Sequence, residues 1–261
     1  MTPHTVRFPL AGPGGEPVDL ARTFRSHGVA SLPPMHTDET SGTFEITLSA
    51  QDAGSHTVRV SPDGPGYGVV SISGDPAEPA GDVLLATVRR VLRLDEDLSG
   101  FYERAREDPE LSWVTGGAGR MIRSPSVFEE VVKTICTTNC AWSATERMVG
   151  ALVEHLGEPA PDAPRETPYG RSFPTPEAMA AAGEDFYRDV VRAGYRGRYL
   201  HTLAHSVAGG SMDLESLGSA SSEELPDDEL DRCPISLPGL GPYSAADVMM
   251  WLGRCSRLIL G

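Results

Sequence analysis

The sequence predicts an α+β fold, with an N-terminal antiparallel β-sheet domain over residues 1–80 and an all-α domain over residues 81–261. Three observations predict it. Apolar residues alternate with period two in three short runs before residue 73, and after residue 98 they recur at helical spacing. Between the two regimes lies Gly74 to Gly81, which carries Pro76 and Pro79 and has the composition of a linker.

The strands are read at Phe44–Leu48, His56–Val60 and Gly68–Ile72, separated by Gly/Pro turns such as Ser61-Pro62-Asp63-Gly64-Pro65-Gly66. Consecutive strands joined by short loops favour antiparallel pairing, and Val18–His27 reads as a helix packed on the sheet. In the second region Leu98, Phe101, Tyr102 and Ala105 share one helical face, as do Phe128, Val131, Val132, Ile135 and Cys136. Thr145, Met148, Val149, Leu152 and Leu156 form the next stripe. Thr175-Pro176-Glu177 is an N-cap followed by proline at the first helical position, and Gly194 and Gly209-Gly210 read as helix stops. Leu200, Leu203, Ala204 and Val207 make a further stripe, and Ala245, Val248, Met249 and Leu252 make the last. Glu158–Arg171 is loop-like and of low complexity.

With 261 residues and 39% hydrophobic content, the chain can build one large or two smaller packed cores. No apolar run approaches the ~20 residues of a membrane span. Residues 1–20 lack the charged start and apolar centre of a signal peptide, so a cytoplasmic location and no membrane partner are expected. Cys136, Cys140, Cys233 and Cys255 form neither a C-x-x-C pair nor an iron–sulfur run, and reduced thiols are expected. Cys136 and Cys140 stand one helical turn apart and read as two small buried residues rather than a metal pair. A net charge of −15 argues against nonspecific nucleic-acid binding. The acids, however, concentrate in residues 154–166 and 223–231, whereas Arg192, Arg196 and Arg198 crowd around Tyr195 and Tyr199, which leaves room for a local basic face.

The most informative segment is Leu237-Pro238-Gly239-Leu240-Gly241-Pro242-Tyr243, a P-G-x-G turn running into a helix. Glycines at 239 and 241 permit positive φ and leave backbone N–H groups and a helix N-terminus facing an anion. The same turn also serves as a plain helix–helix connection, and the motif alone does not separate the two.

Three segments in order resemble the helix-hairpin-helix (HhH-GPD) DNA glycosylase superfamily, in its 3-methyladenine DNA glycosylase II and 8-oxoguanine DNA glycosylase branch. They are Ile135-Cys136-Thr137-Thr138-Asn139, Ala193-Gly194-Tyr195-Arg196-Gly197-Arg198-Tyr199, and the hairpin of Leu237–Asp247. The resemblance implies a base-excision repair enzyme whose partner is double-stranded DNA with a damaged base, acting as a monomer in the cytoplasm at the nucleoid. By resemblance, Asn139 contacts the gap left by an extruded base and Tyr195 wedges beside it. Arg196 and Arg198 reach phosphates or the orphaned base, and N–H groups around Gly239, Gly241 and Tyr243 hold a phosphate. No cofactor or catalytic metal is implied, but a structural monovalent cation at the carbonyls of Leu237 and Gly239 is.

The departures from the family pattern carry expectations of their own. Bifunctional members have a Schiff-base lysine where this chain has Tyr243, so a monofunctional enzyme is expected, and Lys133, inside the helix before Asn139, is a poor substitute. Ala144 stands where the 8-oxoguanine branch has an arginine that reads the opposite cytosine. Arg257–Gly261 resembles the strand before the catalytic aspartate, which is then expected just beyond Gly261. The helical domain thus reads as C-terminally incomplete, with Asp247 badly placed to substitute and with Val248, Met249, Trp251 and Leu252 expected to lose cover. Pro234 is expected to end the helix leading into the hairpin. A DNA-binding remnant without chemistry and a bifunctional 8-oxoguanine glycosylase/lyase are the alternatives.

Overall fold

The structure is a computed structural model that describes residues 4–50, 53–74, 76, 80–161, 163–164, 167–221, 223–230, 232, 237 and 239–254. It divides into two compact units, one of Met1–Pro125 with Glu158–Phe173 and one of Ser126–Gly157 with Pro174–Gly261.

The first unit is built on a five-stranded, wholly antiparallel sheet ordered β1-β5-β4-β3-β2. Its strands are β1 (His4–Pro9), β2 (Met35–Asp38), β3 (Thr43–Ser49), β4 (Ser55–Pro62) and β5 (Tyr67–Ile72). Residues directly opposite each other lie on one face, so the register makes rows. Phe44, Val60, Val70 and Val6 form one row across four strands, and Met35, Ile46, Val58 and Ile72 form the next. All but the partly exposed Val6 are buried. The three central strands are those read from the alternation. The two edges, β1 and β2, escaped that reading because an edge strand needs few buried residues, and β2 contributes only Met35.

Helix α1 (Leu20–Phe24) is shorter than expected; Asp19 caps it by accepting from Arg22 N at 3.0 Å, and a 3₁₀ turn at Gly28–Ser31 follows. Phe24 stacks on Phe44 with centroids 5.4 Å apart, which seats α1 on the sheet. Helix α2 (Ala80–Val91) belongs to this unit as well. Its Leu85 and Val88, with Val6, Phe8 and Val70 of the sheet, line a small apolar cavity of about 130 Å³. Part of the apolar face of α2 is thus turned toward the sheet. In helix α3 (Ser99–Glu107), Tyr102 and Ala105 join Val114 and Ala118 in a buried cluster, and Tyr102 Oη donates to the Ala118 carbonyl at 2.6 Å. Phe101, read as part of that face, is exposed. The Glu158–Phe173 segment returns to this unit through Ser55 Oγ, which donates to Glu158 Oε2 at 2.8 Å, and through a Tyr169–His36 edge contact. Of the linker read at Gly74–Gly81, Asp75 and residues 77–79 lie outside the described residues, and Ala80 and Gly81 already belong to α2.

The second unit is helical. Helix α4 (Val127–Thr137) is buried at every position from Val127 to Cys136. Its first turn is capped twice: Ser126 Oγ accepts from Glu129 N at 3.1 Å, and the Glu215 carboxylate accepts from Val127 N and Phe128 N at 3.2 and 3.1 Å. Such depth tolerates charge only when it is paired, and Lys133 Nζ donates to Glu129 Oε1 at 2.6 Å, one turn away. Around α4 come α5 (Trp142–Leu156), α6 (Pro176–Ala181), a π turn at Phe186–Val190, α7 (Arg196–Ala208), α8 (Glu215–Ser219), α9 (Asp227–Leu230) and α10 (Pro242–Trp251). Thr175 caps α6 as expected, accepting from Ala178 N at 3.2 Å. Helix α10 packs on α4, and Val248, Met249 and Trp251 are buried, contrary to the expectation that this face would lie open. Pro234 and Arg257–Gly261 lie outside the described residues.

Candidate nucleic-acid interface

The three sequence segments singled out above meet in the second unit. Helix α4 ends at its C-cap Thr138, whose N–H and hydroxyl both donate to the Ile135 carbonyl, at 3.3 and 2.8 Å. Asn139 then takes φ +46°, in the left-handed region, where asparagine is among the least penalised non-glycine residues. That turn exposes its side chain, and Asn139 Nδ2 donates to Tyr195 Oη at 3.4 Å.

Tyr195 sits at the N-terminal boundary of α7 and is 48% exposed. Hydrogen bonds from Thr138 and Asn139 pull its phenol below the ordinary tyrosine value. Its ring meets Tyr199 edge-on at 6.0 Å. Tyr199 in turn lies flat against the hairpin: a Cβ built on Gly239 would stand 2.4 Å from Tyr199 Cδ2. Gly239 has φ +86°, so conformation and close approach both demand glycine there.

Gly241 does not use the positive φ that glycine permits. It has φ −105° and ψ −178°, ordinary extended backbone, because it serves as the N-cap of α10 ahead of Pro242. Among the described residues no side chain caps that helix, and its first turn lines a cavity, so the positive end of its dipole is available to an anion. A cavity of about 400 Å³ separates the end of α4, Thr137–Asn139, from the hairpin at Gly239 and Gly241–Ser244. Tyr243, in the cavity wall, is 53% exposed.

The two arginines part company. Arg198 is exposed, its Nη2 donating to Tyr199 Oη at 2.9 Å. Arg196 is buried, with its guanidinium donating to the Thr138 carbonyl and, from Nε, to Thr138 Oγ1 at 3.2 Å. Leu237, the other proposed cation ligand, accepts from Leu240 N at 3.2 Å. Lys133 is buried against Glu129, away from the cavity lining, and Asp247 lies partly buried in α10, where burial raises its carboxyl. Trp142 escaped the sequence reading. It opens α5 three positions past Asn139 and is exposed, and a large aromatic at a helix start beside a candidate contact was the available signal.

No protein-family model and no curated protein matches this sequence. Solved structures do. A 3-methyladenine DNA glycosylase from Archaeoglobus fulgidus superposes with TM-score 0.72 at 20% identity, over 95% of this chain and 80% of that one. The chain has a DNA-glycosylase fold. MBOgg1 in complex with a low-affinity DNA ligand gives TM-score 0.69 at 18% identity, over 97% of this chain and 81% of its own. The 8-oxoguanine glycosylase/lyase of Clostridium acetobutylicum, bound to duplex DNA with cytosine opposite 8-oxoguanine, gives 0.67 at 19%, over 97% and 77%. At 18–20% identity these likenesses show the fold, and it agrees with the fold implied by the three sequence segments.

Proposed function

We propose that the chain belongs to a monofunctional base-excision repair glycosylase, which extrudes a damaged purine from duplex DNA and hydrolyses its N-glycosidic bond without cutting the strand. The observation that carries this reading is that exposed Asn139 faces the hairpin across one cavity while its side chain donates to exposed Tyr195. Extrusion leaves a gap to fill and a bent backbone to hold. Tyr195 fills the gap, Asn139 lines it, Arg198 reaches phosphate, and the N–H groups around Gly239, Gly241 and Tyr243 grip the backbone without reading sequence.

In the reaction, the bond from the base nitrogen to C1′ breaks, the water oxygen bonds to C1′, and the water's proton leaves with the base. Tyr243 offers no amine for a Schiff base, and the burial of Lys133 in an ion pair supports the same conclusion. The structural cation implied by resemblance fits neutral carbonyl donors: the Leu237 oxygen, already bonded to Leu240 N, keeps a second lone pair, and Gly239 offers the other oxygen. The test is release of free base from duplexes carrying an alkylated purine or 8-oxoguanine. Base release without strand cleavage or borohydride trapping supports the proposal. Lesion-dependent binding with no release favours the noncatalytic reading, and a trapped covalent adduct favours a lyase.

A further inference from the structure

We propose that Arg196 is a positioning residue: its guanidinium clamps the carbonyl end of α4, and through that clamp it presents Asn139 and Tyr195 to DNA while touching no phosphate itself. The inference rests on the DNA-binding reading above and assigns one residue of that surface a different task from its neighbours.

Arg196 is only 8% exposed, so a phosphate would have to displace protein to reach it. Two of its donors, Nη2 and Nε, are engaged at Thr138, at the carbonyl and at Oγ1. That carbonyl belongs to the C-cap of a buried helix, where α4 concentrates partial negative charge and a cation is electrostatically favoured. The fork of a guanidinium suits two acceptors on one residue, which a lysine cannot reproduce.

The consequence falls on the next residue. Asn139 is a non-glycine residue held at φ +46°, and such a conformation persists only where its surroundings over-determine it. Arg196 fixes the peptide on its N-terminal side, and Tyr195 Oη receives its side chain at 3.4 Å. The same guanidinium lies 4.6 Å from the Tyr195 ring centroid, so it backs one aromatic face while leaving the residue exposed. One buried cation thus holds both side chains proposed to enter the gap. Arg198, two positions on and exposed, remains the cation available to phosphate.

The experiment uses the full chain with Arg196→Met, Arg196→Lys and, as a contrast, Arg198→Met. Binding is measured over a salt series to a duplex containing a tetrahydrofuran abasic-site analogue and to the same duplex undamaged. Amide hydrogen exchange at Thr138 and Asn139 is measured in the free protein. A positioning role predicts that Arg196→Met loses at least tenfold in affinity for the abasic duplex, with undamaged-duplex affinity and the slope of log K against log salt unchanged. It also predicts faster exchange at Asn139, with Arg196→Lys intermediate, and a slope reduced by about 0.9 in Arg198→Met alone. A slope reduced in Arg196→Met, or exchange at Asn139 unaffected by both Arg196 substitutions, overturns the proposal. If the wild-type chain binds neither duplex, the DNA-binding reading fails, and exchange in the free protein still decides whether Arg196 holds Asn139.

Discussion

Gly239 and Gly241 look equivalent in the P-G-x-G turn, yet alanine is expected to be costly at the first and nearly neutral for stability at the second. At Gly239 an L-residue must hold φ +86°, which costs about 1–2 kcal/mol. Its Cβ would also stand 2.4 Å from Tyr199 Cδ2 and 2.9 Å from Cγ, an overlap that displaces the ring for a further ~1–3 kcal/mol. Gly239→Ala should therefore destabilise the helical unit by about 2–5 kcal/mol. At Gly241, φ is −105° and a Cβ meets no atom of the described residues within 4 Å, so alanine is accommodated. The gain of about 0.4–1 kcal/mol from the unfolded chain's lost freedom is offset by a loss of similar size at the N-cap, where alanine is poorer than glycine, so the stability should stay near the parent's. Gly241 nonetheless lines the cavity, and its added methyl is expected to weaken binding to an abasic-site duplex. Urea unfolding followed by fluorescence of Trp142 and Trp251, in a Trp113→Phe background, reads the stabilities. A Gly239→Ala protein within about 0.5 kcal/mol of the parent, or a Gly241→Ala protein destabilised by more than about 1 kcal/mol, would refute the assignment of the two glycines.

Three further outcomes are expected. Tyr195→Ala should weaken binding to the abasic-site duplex by about 1–3 kcal/mol, measured by fluorescence anisotropy, while unfolding is unchanged because the ring is half exposed. Burial raises the Asp247 carboxyl, so its contribution to stability is full below the unfolded aspartate value and is lost as pH rises through the folded one. Asp247→Asn should therefore match the parent's melting temperature in acid and exceed it at neutral pH; a gap that closes as pH rises would contradict this. Burial pushes the Cys136 thiol up to about 12, so the native protein should leave it unalkylated at mildly alkaline pH, as peptide mass mapping would register.

How far the sequence could be read depended on the range of the physics involved. Helix α4 was plain because its apolar residues recur at helical spacing, and so were β3, β4 and β5, whose alternation reflects one buried face. The edge strands, with few buried positions, left little pattern to detect. Phe101 had the right spacing for the core but faces out, since periodicity reports a face and not its width. The fit of Tyr199 against Gly239 and the clamp of Arg196 on Thr138 join residues 40 and 58 positions apart, and no local pattern encodes either pairing. Gly239 and Gly241 could not be told apart for a related reason: composition says where glycine is tolerated, and only the backbone says which glycine is required.

The path of the chain has a bearing on synthesis. The sheet unit takes in Met1–Pro125 and then waits for Glu158–Phe173, with α4 and α5 emerging between. At ~5–20 residues per second, a ribosome needs roughly 2–10 s to deliver residues 126–173. For that interval the nascent sheet lacks the Glu158 carboxylate on Ser55 and the Tyr169 ring on His36, while the buried surface of α4 is already exposed to solvent and to chaperones. Neither unit corresponds to one contiguous stretch of message, so the two are expected to mature together rather than one after the other.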